Sequence, residues 1–303
     1  VDIVIGTHRL LSSDVKFKNL QMLIVDEEQR FGVKQKEKIK KLNYGVHVLN
    51  VSATPIPRTL SMALSSIQEI SIISQPPKDR KPVYTEIIKD NWNKAVQAIA
   101  KEVDRGGQVY FVHNEVSTIQ SIKQRLEQSL PGIKFIVGHG QMSAAELDRV
   151  MTDFFNKKYD CLIATTIIEN GLDLPNVNTM IINKADHFGL SQLYQLRGRV
   201  GRSTREAYCY LMYSGKTLES QLNEQSISDE KLKKAMYRKY VERLQAIVDN
   251  QELGAGFRVA SRDLEIRGAG SLLGEQQSGF ISSIGYAMYI EILATEVERL
   301  RHL

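Results

Sequence analysis

The stretch Met22-Leu23-Ile24-Val25-Asp26-Glu27-Glu28-Gln29 decides the fold class of this chain. Its apolar first half predicts a buried strand of a parallel sheet. The acidic residues that follow lie at the sheet edge where open α/β folds bind their ligands. One carboxylate there can hold Mg²⁺, usually through water, and the next can accept a proton from an attacking water. A solvated acidic turn would have the same sequence, so the stretch alone leaves both interpretations open.

The composition is that of a globular protein large enough for two domains. The chain has 303 residues, of which 42% are hydrophobic and 25% are charged. No apolar run approaches the roughly 20 residues of a membrane span, and no leader sequence is apparent. The only cysteines, Cys161 and Cys209, lie in apolar runs and indicate a reducing compartment. We therefore predict a cytoplasmic protein with no membrane partner, and, because the first residue is not Met, a piece of a longer protein.

The net charge and the distribution of histidines indicate which ligands the chain could bind. A formal charge of +5 permits a polyanionic partner, although it also suits ordinary solubility. The histidines are scattered along the chain and no CxxC spacing occurs, which argues against a zinc site.

Strand-like runs alternate with helix-like segments, the pattern of α/β domains with parallel sheets. We predict a first domain over residues 1–74, a linker over 75–82 and a second, doubly wound domain over 83–213. The linker assignment rests on three prolines and four charged residues in that short stretch. Residues 214–303 are predicted to form a C-terminal segment, with an amphipathic helix over Asp229–Ile247, a glycine- and arginine-rich stretch over Gly254–Gly279 and a last helix from about Ile284 to Leu300.

Individual strands and helices are predicted within the two domains. The first domain is expected to contain strands Asp2–Gly6, Met22–Asp26 and Val46–Ser52 and a helix over Val33–Leu42. In the second domain the predicted strands are Val83–Lys89, Gln108–Val112, Lys134–Val137, Asp160–Ala164, Thr179–Ile182 and Ala207–Met212, and the predicted helices are Trp92–Asp104, Val116–Leu130, Ala144–Asn156 and Ser191–Arg197.

Three further polar segments follow predicted strands. They combine hydroxyls and backbone N–H groups, which suit phosphate oxygens, with glycine or proline in a turn. Each taken singly is also compatible with an ordinary turn or helix start. The segments are Gly6–Leu11, Ser52–Arg58 and Ala164–Asp173, and their candidate residues are Thr7, Arg9, Thr54, Thr165, Thr166, Gly171 and Asp173.

The segment Gln192–Arg202 contains three arginines, Arg197, Arg199 and Arg202, spaced by glycines. Such a run is a poor choice for a packed core, whereas planar guanidinium groups bind polyphosphate oxygens bidentately. We therefore predict that Arg199 and Arg202 stabilise the charge that develops on a γ-phosphoryl group during its transfer. An exposed basic loop is the alternative.

One apparent phosphate site does not meet its pattern. Ser214-Gly215-Lys216-Thr217 resembles the end of a phosphate-binding loop, but G-x-x-x-x-G-K-[ST] requires glycine at position 210, which is Tyr210. The stretch is better interpreted as a turn, and a complete phosphate-binding loop is missing from this chain.

In this order, the segments resemble the motifs of superfamily 2 helicases and translocases. More narrowly, Asp26–Val33 and Thr54–Leu60 resemble the bacterial transcription-repair coupling factors. The stretches Leu253–Phe257, Asp263–Gly270 and Gly274–Gly279 resemble a translocation module that those factors share with RecG helicase. The correspondence with the superfamily motifs is Gly6–Leu11 with motif Ib, Asp26–Gln29 with motif II, Ser52–Thr54 with motif III, Gln108–Asn114 with motif IV, Ala164–Asp173 with motif V and Gln192–Arg202 with motif VI.

The resemblance implies a RecA-like P-loop NTPase motor with a truncated first domain, a complete second domain, and then a helical hairpin and hooked loop. The family uses ATP and Mg²⁺. Asp26 would hold Mg²⁺, Glu27 would orient and deprotonate water, and Gln29 would belong to the same catalytic set. The lysine loop of the family lies upstream of motif Ib, so we expect this chain alone to hydrolyse ATP negligibly, and robust turnover by it would contradict that. The residues that would face ATP are Gln195, Gly171, Asp173, Arg199 and Arg202.

The resemblance also implies double-stranded DNA as a partner. Thr7, Arg9, Thr54, Thr165 and Thr166 would contact the phosphates of the tracked strand, so binding would be non-specific and salt-sensitive. Movement on the duplex would be coupled to closure of the motor domains by Arg262, Arg267 and Gln277. In the family this activity displaces stalled RNA polymerase and recruits an excision-repair protein, both through domains outside this chain.

This interpretation requires the carboxylates of Asp26–Gln29 and the glycine-spaced guanidinium groups to line opposite walls of one nucleotide cleft. Two alternatives stay open. The first is a RecG-like, fork-remodelling DNA helicase, from which the chain differs mainly at Glu28-Gln29, where RecG-like chains usually have Gln-His. The second is a non-catalytic nucleic-acid-binding module, which predicts DNA binding unaffected by ATP and no loss of activity in Glu27→Gln.

Overall fold

The computed structural model describes residues 2–27, 31–42, 45–52, 80–169, 174–214 and 230–267, together with the isolated positions 71, 73, 75, 292, 295 and 299. The chain divides into two compact units, Val1–Ile56 and Pro57–Leu303. The predicted limits of the domains and the linker stay predictions.

The first unit contains a two-stranded parallel sheet. Strand β1 (Met22–Asp26) pairs with β2 (His47–Val51), from Met22 opposite His47 to Asp26 opposite Val51. Helix α1 (Val33–Leu42) connects them and confirms the helix predicted over the same residues. A parallel pair needs a crossover connection of this kind, because the chain must return to the same end of the sheet. A short 3₁₀ helix, His8–Leu11, precedes β1.

The strand predicted over Asp2–Gly6 is wrong. Residues 2–6 make no strand pairing with any described part of the chain, and Ile5 is 94% exposed. An apolar run becomes a strand only when a neighbour supplies partners for its backbone, and β1 and β2 pair with each other instead. The prediction that Met22–Val25 forms a buried strand is wrong in its burial: the strand forms, but only Val25 of β1 is buried, and Ile24 and the neighbouring Leu49 of β2 are exposed.

The second unit is built on a six-stranded sheet of order β3-β8-β7-β4-β6-β5, and all of its pairs are parallel. This confirms the predicted α/β class, and each predicted strand of this unit ends within about two residues of the observed one. The strands are β3 (Val83–Lys89), β4 (Gln108–Val112), β5 (Phe135–Gly138), β6 (Cys161–Ala164), β7 (Val177–Ile182) and β8 (Ala207–Tyr213).

Helices cover both faces of this sheet. The pleat of β4 shows the division, because Val109 and Phe111 belong to one buried cluster and Tyr110 and Val112 belong to the other. The first cluster includes side chains of α2 and α3, and the second includes side chains of α4 to α7. The helices are α2 (Trp92–Asp104), α3 (Val116–Ser129), α4 (Ala144–Phe155), α5 (Leu190–Arg197), α6 (Glu230–Asp249) and α7 (Gly256–Arg267).

The C-terminal segment is more helical than the residue pattern alone predicts. Helix α6 confirms the amphipathic helix expected at Asp229–Ile247. Helix α7 lies in the stretch that the pattern described only as rich in glycine and arginine, where the resemblance implied a helical hairpin. The described helix has glycine only at its first position, and its buried residues Val259, Ala260 and Ile266 recur at helical spacing. The hooked loop and almost all of the predicted last helix lie outside the described residues.

Candidate functional site

Asp26 and Glu27 lie at the carboxyl end of β1, where the sequence predicts them. The Glu27 N–H donates to the Val51 carbonyl at 2.9 Å, which ties the turn after β1 to the end of β2. Glu27 has a φ of 51°, in the left-handed region that non-glycine residues rarely adopt. Such backbone conformations concentrate at functional sites. Ser52, the first residue of the predicted motif III, follows β2 at the same sheet edge.

Asp26 fits a Mg²⁺ ion of the kind that keeps most of its water. This carboxylate is exposed at the end of the strand, and one hard oxygen ligand from the protein is sufficient when substrate phosphates supply others. Within the described residues, no group of three or more His, Cys, Asp or Glu side chains could hold a metal ion.

Thr7 and Arg9, predicted to contact DNA, have partners inside the first unit. Thr7 caps the 3₁₀ helix and accepts a long hydrogen bond, 3.4 Å, from the Arg9 N–H. The Arg9 guanidinium donates to both carboxylate oxygens of Asp14, at 2.7 and 2.6 Å. The ion pair raises the pKa of Arg9 and lowers the pKa of Asp14. Because both side chains are exposed, the pair is weak, and a phosphate could replace Asp14 in the same forked geometry.

Thr165 and Thr166 differ in their access to a ligand at the carboxyl end of β6. Thr165 is buried, and its N–H donates to the Gly138 carbonyl at 3.3 Å. Thr166 begins a 3₁₀ helix, Thr166–Glu169, and is half-buried. The Thr166 hydroxyl is therefore the better candidate for a phosphate contact.

Arg199 and Arg202 lie on one tight turn after α5. The Gly198 N–H donates to the Tyr194 carbonyl at 3.0 Å, and the Arg199 N–H donates to the Leu196 carbonyl at 2.9 Å. The Arg202 side chain folds back onto this turn, where its Nε donates to the Gly198 carbonyl at 3.3 Å. Both arginines are half-buried, as is Gln195 on α5. The turn thus holds two candidate guanidinium groups on a backbone that continues the helix.

Gly201 shows why this turn needs glycine. Its φ is 72°, and a Cβ there would lie 3.0 Å from Cγ2 of Val83 and 3.1 Å from Cβ of Ala207. The close approach packs the turn against the start of β3 and β8. Arg80, in the predicted linker, also contacts the turn, because its Nη2 donates to the Gly198 carbonyl at 3.2 Å. The predicted linker therefore contributes a side chain to the turn as well as joining the domains.

Arg197 contradicts the prediction that the arginines of this segment avoid a packed core. Its side chain is only 4% exposed. The guanidinium donates to the carbonyls of Ile247 and Asn250, at 2.7 and 2.8 Å, and lies over the Tyr194 ring. Burial lowers the pKa of Arg197. These carbonyls satisfy the guanidinium inside the protein, which local sequence could not indicate.

A buried histidine network at the same sheet edge was missed. His113 follows β4 directly, with Nε2 2.7 Å from Oγ1 of Thr118 and Nδ1 3.0 Å from Nδ2 of Asn183, which follows β7. With Asn183 donating to Nδ1, the ring is neutral and Nε2 donates to Thr118. Burial lowers the pKa of His113, in agreement with this form. The available signal was the position of a polar residue immediately after a buried strand.

The salt bridge between Lys184 and Glu115 extends this network. The two groups are 2.7 Å apart, and Lys184 lowers the pKa of Glu115. Lys184 also has a left-handed backbone, with φ 53°. The ends of β4 and β7 are thus joined by polar side chains at the edge that carries Thr165 and Thr166.

The remaining predicted residues are only partly described. Arg262, on α7, is exposed and donates to Glu265 on the same helix at 2.6 Å. Arg267 is the last residue of α7. Predicted residues outside the described ranges are Gln29, Thr54, Gly171, Asp173 and Gln277.

Comparison with known proteins decides the family. A DEAD/DEAH box helicase model matches residues 1–63, and a model of the helicase conserved C-terminal domain matches residues 91–204. The chain is 47% identical over 301 residues to the transcription-repair-coupling factor of Staphylococcus epidermidis and 49% identical over 301 residues to that of Haemophilus influenzae, with 99% of this chain covered in both. The chain belongs to the transcription-repair-coupling factor family of helicases. This confirms the resemblance found in the sequence.

The chain spans about a quarter of the length of these relatives, 24% of the first and 25% of the second. A solved structure of RecG bound to a three-way DNA junction is similar over 96% of this chain and 36% of its own chain, with a TM-score of 0.65 and 34% identity. That similarity confirms the predicted RecA-like fold with parallel sheets. Among the described helices, none has the length and apolar character needed to cross a membrane.

Proposed function

We propose that this chain is the motor segment of an ATP-dependent translocase on double-stranded DNA. In the whole protein, the motor would displace stalled RNA polymerase and couple transcription to nucleotide excision repair. The observation that carries the proposal is 47% identity to a transcription-repair-coupling factor over 99% of this chain. The lower identity to RecG, 34%, favours this activity over fork remodelling, while the three-way junction in that structure supports DNA as the substrate.

The first unit would supply the groups that activate water. Asp26 would hold Mg²⁺, which when bound neutralises charge on the phosphates of ATP. Glu27 would orient the attacking water and accept its proton, and Gln29 would act with it in catalysis. The hydrogen bond from the Glu27 N–H to Val51 supports this role, because it holds the backbone of the general base in place before ATP binds.

The second unit would supply the groups that stabilise charge in the transition state. Arg199 and Arg202 would donate to oxygens of the γ-phosphoryl group as it transfers, and Gln195, Gly171 and Asp173 would contact the nucleotide. The hydrogen-bonded turn after α5 supports this role, because donors that are already in position lose little free energy to reorganisation.

DNA would be held by its phosphates and not by its bases. Thr166 and Thr165, with Thr7, Arg9 and Thr54, would contact one strand, so affinity should fall steeply with salt and show little sequence preference. Arg262, Arg267 and Gln277 would couple ATP hydrolysis to movement on the duplex. RNA polymerase and an excision-repair protein would bind parts of the protein outside this chain.

The test is Glu27→Gln in the full-length protein. We expect ATP turnover stimulated by duplex DNA to fall by about 10²- to 10⁴-fold, because the amide cannot accept the proton of the attacking water. Displacement of a triplex strand from duplex DNA should be lost with it. Binding of the duplex should remain, because Glu27 is not among the proposed phosphate contacts. Turnover is measured at saturating ATP, and DNA binding is measured by fluorescence anisotropy.

Glu37→Gln is the matched control, since it removes an exposed carboxylate from α1 of the same unit. It should behave as the wild type. If the affinity for DNA is the same with and without ATP, and Glu27→Gln keeps its activity, the non-catalytic binding module would be favoured. Activity on branched DNA without release of stalled RNA polymerase would favour the fork-remodelling helicase.

A further inference from the structure

Arg197 joins two helices that are distant in the sequence. Nη1 donates to the carbonyl of Ile247, 50 residues further along, and Nη2 donates to the carbonyl of Asn250. Cζ lies 5.0 Å from the centre of the Tyr194 ring. A single buried side chain thus connects the end of α5 to the end of α6.

The acceptors belong to a helix C-terminus. The last carbonyls of a helix have no partner within it, and the partial negative charge at that end attracts a cation. Ile247 lies in the last turn of α6, and Asn250 follows that helix directly. A planar guanidinium can donate to two such carbonyls in a fixed geometry, which a lysine ammonium does not reproduce. Arg197 therefore sets the position of the end of α6 relative to α5.

Apolar packing already holds these helices together. Contacts between apolar side chains have no preferred direction, so they fix the register of the helices less sharply than directed hydrogen bonds do. A buried charge is weak evidence of a need for stability, because the cost of removing it from water offsets much of what its contacts contribute. A buried guanidinium here is therefore better explained by a need for register than by a need for stability. The shared core of α5, α6 and α7 contains Leu193, Leu196, Leu244, Ile247, Val259 and Ile266.

Movement of α6 would reach the turn that carries the candidate arginines. Arg197 is two residues before Arg199 and two after Gln195. The hydrogen bonds from Gly198 to Tyr194 and from Arg199 to Leu196 continue the helix into the turn. A shift at position 197 is therefore passed along the backbone.

We propose that Arg197 is a positioning residue that transmits the position of α6 and α7 to Arg199 and Arg202. When the C-terminal helices shift on α5, Arg197 carries the shift into the turn and moves the two arginines relative to the phosphates. The inference rests on the proposed ATPase function. It names the buried side chain through which the C-terminal segment controls hydrolysis, in addition to Arg262, which pairs with Glu265 on its own helix.

The experiment compares Arg197→Met, Arg197→Lys and Arg125→Met in the full-length protein. ATP turnover is measured with and without duplex DNA, and thermal unfolding is followed by circular dichroism. We expect Arg197→Met to lower DNA-stimulated turnover about 10- to 100-fold, because the reaction rate falls steeply when catalytic groups are displaced from their productive positions. The ratio of stimulated to unstimulated turnover should fall as well, with the KM for ATP changing by less than about twofold. Arg197→Lys should recover part of the stimulation.

Arg125→Met is the matched control. It removes a guanidinium that lies 4.0 Å from the centre of the Trp92 ring on the other face of the sheet, so its stimulation by DNA should equal that of the wild type. A folded Arg197→Met protein with wild-type stimulation overturns the inference. An equal fall in ATP turnover with and without duplex DNA also overturns it, because that result would mean that Arg197 only stabilises the fold.

Two further outcomes separate this inference from the function on which it rests. If Arg197→Met does not fold, Arg197→Lys decides by the same comparisons. If the wild type shows no DNA-stimulated turnover, the proposed function fails, and the inference fails with it. If folded Arg197 variants keep the stimulation of ATP turnover by DNA that the wild type shows, this inference fails and the proposed function stands.

Discussion

Replacement of Arg199 by alanine in the full-length protein is expected to lower ATP turnover by about 10³- to 10⁵-fold, the usual contribution of an arginine that stabilises a transferring phosphoryl group. Arg199 is half-buried on the turn after α5, and its backbone is fixed by the hydrogen bond to Leu196. The loss should appear in kcat at saturating ATP and duplex DNA, because the guanidinium acts most strongly on the charge of the transition state.

Arg205→Ala is the matched control for this prediction. Arg205 is exposed, three residues after Arg202, and its N–H donates to Oγ of Ser203 at 3.3 Å. Its replacement should leave kcat close to the wild-type value. A fall of less than about tenfold in Arg199→Ala, equivalent to about 1.4 kcal/mol, would remove Arg199 from the proposed catalytic groups.

Replacement of Phe111 by alanine is expected to lower the free energy of unfolding by about 3–5 kcal/mol, through lost burial and the cavity left behind. Phe111 is fully buried in β4, which lies between β6 and β7 in the sheet. Its ring meets Trp92 of α2 edge-on, with centroids 5.9 Å apart. The change therefore damages contacts between the sheet and a covering helix, and urea unfolding of this 303-residue chain would measure it.

Phe155→Ala is the control of the same chemistry. Phe155 ends α4 and is 62% exposed, so its replacement should change the free energy of unfolding by no more than about 0.5 kcal/mol. Equal losses for the two variants would contradict the burial on which the description of the second sheet rests.

Local pattern was sufficient for most of the helices and strands. Trp92–Asp104 and Val83–Lys89 have the bounds that their apolar spacing predicts. The error at Asp2–Gly6 has a different origin, because that run has strand-like composition but no neighbouring strand to pair with among the described residues. Periodicity describes what a segment can bury, whereas a strand also needs a partner.

In the candidate site, too, the sequence predicted where residues lie but not what their side chains contact. The sequence alone indicated that Asp26, Glu27, Thr165 and Thr166 follow strands, and the structure places them at those strand ends, although only the strand before Thr165 is buried. It could not indicate that the Arg9 guanidinium is paired with Asp14, since that contact depends on how the turn after the 3₁₀ helix folds back. The expectation that the carboxylates and the arginines act on one nucleotide stays a prediction.

The sequence by itself determined the α/β class, the alternation of strands and helices and the family, because these follow from the local spacing of apolar residues and from short motifs. Only the tertiary structure decided what each polar side chain contacts. Arg197 and Arg199 are chemically identical and separated by one glycine, yet Arg197 is buried against the end of α6 and Arg199 is half-buried on the turn. The reason is that a buried charge needs acceptors, and the acceptors of Arg197 come from a helix that ends 52 residues later, at Asp249.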